Sequence, residues 1–189
     1  MLDSGFPLSF VFPAVNKHIC GYCKAHKLLK VKLENQEMEL EFGPFKEATK
    51  EHYDLLLDAD PSREAVSKYL QRSFCFETRR ETDLVGVLIL LPTRPETVEI
   101  VNIAISQTFQ ERGFGTQLVE YALQWASKNN YKIVEIGTGS TSFGQLYLYQ
   151  KCGLRIVGVD SDFFIKNYNE PIFENKLRLR DMIRLRKHI

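Results

Sequence analysis

The chain has 189 residues, which is enough for one well-packed domain and too few for two of ordinary size. Its hydrophobic content of 44% and charged content of 26% exclude a disordered or fibrous protein, and its formal net charge of +1 gives no bulk attraction to nucleic acid or to an anionic membrane. No stretch reaches the roughly 20 consecutive apolar residues of a spanning helix, and the cysteines are irregularly spaced, so we expect a cytoplasmic protein without a disulfide framework or a membrane partner.

Residues 1–36 differ in pattern from the rest of the chain and are predicted to be an N-terminal extension ahead of a single domain over residues 37–189. The extension contains a zinc-like set of possible ligands, His18, Cys20, Cys23 and His26. Such close spacing within one short loop is unusual for a zinc site, so no metal is expected. Met38 stands at the start of the first regular pattern, which raises the hypothesis that translation begins there.

The rest of the chain alternates between strand-like and helix-like patterns. Predicted strands occupy residues 38–42, 74–78, 84–91, 97–105, 132–136, 155–159 and 180–187. Predicted helices occupy residues 46–57, 61–70, about 115–128 and 142–152. The resulting order, β-α-α-β-β-β-α-β-α-β-β, predicts a mixed α/β domain.

Short polar residues, glycine and proline define the predicted boundaries. Asp60 followed by Pro61 predicts a helix start, with the aspartate as its cap and the proline at the first helical position. Asn129 and Asn130 predict a left-handed helix ending. Residues 92–95 are predicted to turn the chain, residues 137–139 to end a strand, and residues 163–165 to be extended.

The segment most informative about chemistry leads from a buried strand through Gln110-Glu111-Arg112-Gly113-Phe114-Gly115 into an amphipathic helix. The two glycines permit a tight turn and a close approach of the backbone to a ligand. The free N–H groups of the loop and of the first helical turn, together with the helix dipole, form an anion site suited to a pyrophosphate. Taken alone, the pattern fits a tight strand-to-helix turn equally well.

Two motifs at matching separation resemble those of the GNAT N-acetyltransferase family. Gln110-x-x-Gly113-x-Gly115 is similar to the family signature Arg/Gln-x-x-Gly-x-Gly/Ala at the start of the third helix. Residues 148–154 resemble the family's Leu-Tyr-x-Lys-x-Gly-Phe segment, with Leu154 in place of Phe, and residues 99–106 resemble its fourth strand. The resemblance covers about residues 38–189 and implies the GNAT acyl-CoA N-acyltransferase fold, in which helices flank a central mixed, mostly antiparallel sheet.

The resemblance also implies that acetyl-CoA is the cosubstrate. Its pantetheine arm is expected between splayed strands, where an unpaired strand N–H can polarise the thioester carbonyl. Ser142 and Gln145 depart from the Asn and Ala that the family often has in the fourth helix, which bears on side-chain hydrogen bonding to the cofactor. The cofactor-binding residues implied are Ile103, Ala104, Ile105, Gln110, Glu111, Arg112, Gly113, Phe114, Gly115, Thr116 and Lys151.

The resemblance gives candidate catalytic residues as well. Tyr149 is expected near the sulfur as general acid, because a phenol is protonated at neutral pH and can donate to a leaving thiolate. Glu99 is the candidate general base, since burial in an apolar strand would raise its pKa. The alternatives are that Tyr149 is a core aromatic, that Glu99 is a solvated residue at the strand end, and that water relays replace a single base.

Two other signals compete with this interpretation. Gly137-Thr138-Gly139 follows a strand, but Gly144 comes too late for a dinucleotide fingerprint. The basic C-terminal residues alternate with Ile183 and Leu185, which predicts an outer strand with a solvated face rather than a nucleic-acid site. Contact of this cluster with the cofactor's 3′-phosphate or with a partner subunit is left open.

The predicted activity is therefore transfer of acetyl from acetyl-CoA to a primary amine, by direct attack in a ternary complex. The acceptor is expected to be a small-molecule amine or a lysine-containing acceptor, and the resemblance implies that residues 46–73 and 165–179 select it. A slight hint of a cationic acceptor comes from Glu51, Asp54, Asp58 and Asp60. The alternatives are an acyl-CoA-binding regulatory domain without turnover and a homodimeric module with the last strands at its interface.

Overall fold

The computed structural model describes residues 40–189, so the N-terminal extension, its zinc-like ligand set and the hypothesis about Met38 lie outside the described residues. The strands are β1 (Glu41–Pro44), β2 (Phe74–Arg80), β3 (Asp83–Arg94), β4 (Thr97–Ile105), β5 (Ile133–Gly139), β6 (Arg155–Asp160), β7 (Phe173–Glu174), β8 (Leu177–Arg178) and β9 (Met182–His188). The helices are α1 (Lys50–Ala59), α2 (Arg63–Leu70), α3 (Phe114–Lys128), α4 (Phe143–Lys151) and α5 (Phe163–Asn167).

Seven strands form one sheet in the order β1-β2-β3-β4-β5-β9-β6. Only β4 and β5 pair in parallel, and the other neighbouring pairs are antiparallel. β7 and β8 form a separate hairpin whose two connecting residues, Asn175 and Lys176, both have positive φ, as a type I′ turn requires. The predicted mixed, mostly antiparallel sheet flanked by helices is confirmed.

The helices cover both faces of the sheet. Successive residues of a strand point to opposite faces, and Val87 and Ile89 of β3 pack into one cluster with Leu56 of α1 and Val66 of α2. Gly86, of the opposite parity, faces α3, where an added Cβ would lie 3.4 Å from Leu118. The sheet is therefore the middle layer, and its inner strand β3 is buried from both sides, as its nearly continuous apolar run predicts.

Several predicted boundaries are wrong. Residues 92–94 continue β3, because the turn is made later by Glu96 at φ 56°. Residues 137–139 lie inside β5, where β9 pairs with them. Residues 163–165 begin α5 instead of an extended segment. Asp60 ends α1, and the cap of α2 is Ser62, whose hydroxyl accepts from the Ala65 N–H.

The C-terminal strand is also placed differently from the prediction. β9 lies between β5 and β6, so it is an inner strand and not an outer one. Leu185 at its centre is fully buried, while Arg184 and Arg186 project toward carboxylates of the neighbouring strands β6 and β5. A mixture of apolar and charged residues along β9 therefore reflects ion pairing between strands and not a free solvated face.

Candidate active site

The site begins where β4 and β5 separate. The two strands pair from Thr97 with Ile133 to Ile100 with Ile136, after which β4 stays with β3 and β5 stays with β9. A β-bulge lies at the same point: Leu90 pairs with Ile100 but Ile89 pairs with Asn102, so Val101 is the extra residue. A bulge bends its strand and increases its twist. The result is a wedge between the two parallel strands.

Beyond Ile100, one edge of β4 has no strand partner among residues 40–189. The Ser106 N–H donates to Val85 O in β3 (2.9 Å), and backbone groups alternate in direction along a strand. The backbone N–H and C=O groups of Ile103 and Ile105 therefore point away from β3, into the wedge. The Gln110 side chain donates to Ile105 O (3.0 Å) and joins the following loop to this edge. Ile103, Ala104 and Ile105 are all half-buried.

The loop after β4 presents backbone donors at the start of α3. Gly113 has φ 83°, a conformation that favours glycine, and caps the helix. The first N–H groups bonded within α3 are those of Thr116 and Gln117, both to Gly113 O, so the N–H groups of residues 113–115 precede the helical ladder. With the helix dipole they can bind an anion.

The side chains of the same loop have different roles. Glu111 and Arg112 are exposed, and the Arg112 guanidinium lies 5.7 Å from the Phe109 ring. Phe114 is buried. Gly115 serves helix packing, because an added Cβ would lie 3.1 Å from Leu148 of α4. The second glycine of the motif thus brings α3 and α4 together, a role that the sequence alone did not indicate.

Tyr149 projects from α4 into the interior and is 4% exposed, whereas Tyr147 on the same helix is 69% exposed. Burial raises the pKa of Tyr149, and the charges at Cys152 and Glu174 raise it further. The phenol is therefore protonated throughout the physiological range and is available as a proton donor. Lys151, two residues further on, is exposed in the last turn.

A cavity of about 500 Å³ joins the wedge to Tyr149, and we call it the wedge cavity. Its floor is formed by β4 and β5 on either side of the wedge, and Tyr149 of α4 contributes to its wall. The connection between α1 and α2 and the β7–β8 hairpin supply the remaining walls. An extended ligand between β4 and β5 and a second molecule beside α1 can therefore meet at Tyr149.

Glu99 lies on β4 but outside the wedge cavity. It lines an adjacent cavity of about 370 Å³, which shares Asp60, Ile100 and Tyr168 with the wedge cavity. Arg184 Nη1 lies 3.0 Å from Glu99 Oε1. Burial raises the pKa of Glu99, and the Arg184 charge opposes that rise. Glu99 and Tyr149 therefore do not share one cavity.

The C-terminal basic cluster is largely engaged within the chain. Arg184 also pairs with Asp160 of β6 (2.7 Å), Arg186 pairs with Glu135 of β5 (2.6 Å) and Arg180 pairs with Asp162 (2.8 Å). Lys187 donates to Cys152 O (2.8 Å). These partners favour a structural role for the cluster over contact with a nucleic acid or a cofactor phosphate.

Three polar residues of the wedge cavity, Asn102, Tyr168 and Glu174, were not singled out from the sequence, whereas Asp60 and Ser142 were. Asn102 Nδ2 donates to Leu56 O (3.0 Å) and to Tyr69 Oη (2.9 Å). Tyr168 donates to Asp60 Oδ1 (3.1 Å), and the Ser142 hydroxyl donates to a Glu174 carboxylate oxygen. Asn102 could have been recognised as an amide within an apolar strand, whereas the other pairs join distant parts of the chain.

Neither a membrane-spanning helix nor a metal-binding cluster occurs in the described part of the chain. No helix over residues 40–189 combines the length and apolarity that crossing a membrane requires. Within the same residues, no group of three or more His, Cys, Asp and Glu side chains is arranged to hold a metal ion.

Comparison with known proteins gives consistent matches. Residues 33–154 match the sequence profile of the acetyltransferase (GNAT) family. An uncharacterised N-acetyltransferase of Bacillus subtilis, YvbK, is 51% identical over 150 residues, which are 79% of this chain and 96% of that protein.

Solved structures agree with these matches. A Bacillus subtilis acetyltransferase in complex with CoA has a TM-score of 0.78 and 49% identity, over 80% of this chain and 99% of its own. A GNAT family acetyltransferase from Elizabethkingia anophelis with acetyl-CoA bound has a TM-score of 0.77 and 41% identity, over 79% and 98% of the two chains.

Proposed function

The chain belongs to the acetyltransferase (GNAT) family and is an acetyl-CoA-dependent N-acetyltransferase, and we propose that it transfers the acetyl group directly to a primary amine bound in the wedge cavity. The supporting observation is that the open edge of β4 at Ile103 and the buried Tyr149 both line that cavity, while the donor loop at the start of α3 follows directly on the same edge of β4. We assign the activity to residues 37–189, ahead of which residues 1–36 form an extension.

The residues proposed to hold acetyl-CoA fit its two polar parts. The wedge-facing backbone groups of Ile103 and Ile105 can pair with the amides of the pantetheine arm as a missing strand would. The N–H groups of residues 113–115 suit the pyrophosphate. Arg112 and Lys151, both exposed beside these elements, can add positive charge at the rim.

Acetyl-CoA supplies an activated thioester, so the chain's main task is to position it against the amine. The amine nitrogen attacks the thioester carbonyl carbon, a C–N bond forms and the C–S bond breaks. Tyr149 gives its proton to the departing CoA sulfur, and the phenolate is reprotonated by the proton that the amine loses. An N–H on the open edge of β4 stabilises the negative charge that develops on the carbonyl oxygen.

We propose that the substrate ammonium loses a first proton to Glu99 through water before it attacks, because Glu99 lies in the cavity that adjoins the wedge cavity and not beside Tyr149. The second proton, which the nitrogen loses after attack, is the one that restores the Tyr149 phenol. Its ion pair with Arg184 reduces its basicity, while its burial increases it. Asp60, Ile100 and Tyr168 are among the residues that line both cavities, and the proposed water route passes this shared wall.

The experiment that tests this function has two stages. Calorimetric titration with acetyl-CoA, and with NADH as control, should give saturable binding of acetyl-CoA alone. Release of the CoA thiol on addition of primary amines should then show turnover. Binding without release of thiol for any amine would favour the regulatory alternative, and absence of acetyl-CoA binding would contradict the proposal.

Homodimerisation through the last strands stays a prediction. The edge strand β6 supports it, because Ile156, Val157 and Val159 are each about half exposed there. The mass in solution at several protein concentrations would test it: a concentration-independent monomer would contradict the prediction.

A further inference from the structure

The charged side chains that line the wedge cavity are all of one sign. Three carboxylates line it, those of Asp58, Asp60 and Glu174. Among the described residues that line it there is no Lys, Arg or His. A cavity bounded by low-dielectric walls and charges of one sign concentrates ligands of the opposite sign. The charge therefore favours an acceptor that keeps a positive charge when it is bound.

Two of the carboxylates have different neighbours in the cavity wall. Glu174 is hydrogen-bonded to Ser142 at the start of α4 and contributes to the field at Tyr149, so it belongs to the reacting end. Asp60 follows the last residue of α1 and is bonded to other elements. Its Oδ1 accepts both from the Ser62 N–H (3.0 Å) and from the Tyr168 hydroxyl (3.1 Å). Within residues 40–189, no donor is hydrogen-bonded to Oδ2.

A second acceptor in the cavity wall has no partner. Asn102 is 4% exposed, and its Nδ2 makes two hydrogen bonds, but its Oδ1 has no hydrogen-bond partner in the described part of the chain. A buried carbonyl without a donor is destabilising unless a ligand or water supplies one. An ammonium group carries three donors and no acceptor, so it can supply donors to a cavity wall that is rich in acceptors.

We infer that the acceptor is a small aliphatic diamine or polyamine, whose reacting amine lies at Tyr149 while a second ammonium binds at Asp60 and Asn102. This inference rests on the proposed function. A cavity of about 500 Å³ is of the size that holds small molecules. Phe164, Tyr168 and Phe173 supply apolar and aromatic surface for the methylene chain and for cation–π contact.

The test compares two acceptors of equal chain length that differ by one ammonium, 1,5-diaminopentane and pentylamine. We expect kcat/KM for the diamine to exceed that for the monoamine by about ten-fold or more, which is the effect of one charge-assisted contact. In Asp60→Asn the ratio should fall toward one. Asparagine keeps an Oδ1 acceptor for Ser62 and Tyr168, so the substitution removes the charge with little change in shape.

Asp54→Asn is the matched control, because Asp54 is an exposed residue of the same helix that lines a separate cavity. It should leave the diamine-to-monoamine ratio unchanged. Titration of the CoA-bound protein with each amine gives a second measurement: the diamine should bind more tightly, and Asp60→Asn should remove the difference.

Three results would overturn the inference while leaving acetyl transfer intact. They are equal kcat/KM for the diamine and the monoamine, equal ratios in Asp60→Asn and Asp54→Asn, and preference for a lysine-containing peptide over every free diamine. Acetyl-CoA binding without transfer to any amine would instead overturn the proposed function, and this inference with it.

Discussion

Tyr149 and Tyr147 occupy the same helix in opposite environments, which makes them a natural pair for testing acid catalysis. Tyr149 lines the wedge cavity and is almost fully buried, whereas Tyr147 is exposed. Burial raises the pKa of Tyr149, so the phenol carries its proton when the CoA sulfur leaves. A proton donor at that position contributes only in the transition state.

Replacement of Tyr149 by Phe should therefore lower kcat by about a hundred-fold. The Kd for acetyl-CoA should stay unchanged, because the ring still packs in the cavity wall. The control, Tyr147→Phe, should retain wild-type kcat. A Tyr149→Phe enzyme with wild-type turnover would show that Tyr149 is a core aromatic and not the acid.

The proposed role of Glu99 as general base predicts how the acetylation rate depends on pH. A general base must be deprotonated, so the rate should rise as pH increases through the pKa of Glu99. Since burial raises that pKa, this limb should lie at higher pH than for an exposed glutamate. Glu99→Gln should lower kcat and remove the limb, with Glu120→Gln on the exposed face of α3 as the control. An unchanged pH profile in Glu99→Gln would exclude Glu99 as the base.

At the scale of the elements, the loop before α3 depends on one backbone conformation. Gly113 at φ 83° turns the chain so that the N–H groups of residues 113–115 point outward from the helix start. A residue with a Cβ is strained in this left-handed region. Within residues 40–189, no heavy atom beyond the adjoining residues lies within 4 Å of the position where a Cβ would be, so the strain comes from the backbone alone.

Gly113→Ala should thus lower the free energy of unfolding by about 1 kcal/mol and weaken acetyl-CoA binding. Gly144→Ala in α4 is the control, because Gly144 is helical and equally free of neighbours. It should raise stability by about 0.5 kcal/mol and leave binding unchanged. Denaturant unfolding and acetyl-CoA titration of the two variants check both effects. Equal affinity in the two variants would contradict an anion site at this loop.

Those elements that are defined by nearby residues could be predicted from the sequence. β4 was predicted with its observed bounds, and the left-handed ending of α3 is present at Asn130, with φ 63°. The end of β5 could not be predicted, because glycines usually interrupt strands and only pairing with β9 keeps Gly137 and Gly139 extended. Nor could the sequence place β9 between β5 and β6, since strand order depends on contacts between distant residues.

In the whole molecule, the cofactor side of the site is formed by residues close together in the sequence, and the acceptor side is formed by residues far apart. The residues proposed for acetyl-CoA are nearly all in one stretch, 103–116, so a motif could indicate them. The acceptor side is built from segments far apart in the chain: Tyr168 reaches Asp60 across 108 positions, and Glu174 reaches Ser142 across 32. Only the folded sheet brings these pairs to the wedge.

The most direct test of direct transfer is the initial rate of CoA release with acetyl-CoA and 1,5-diaminopentane both varied. If both substrates meet in the wedge cavity, double-reciprocal plots at different fixed amine concentrations should give lines that intersect. Parallel lines would mean that the acetyl group passes first to the enzyme, and they would contradict direct attack within a ternary complex.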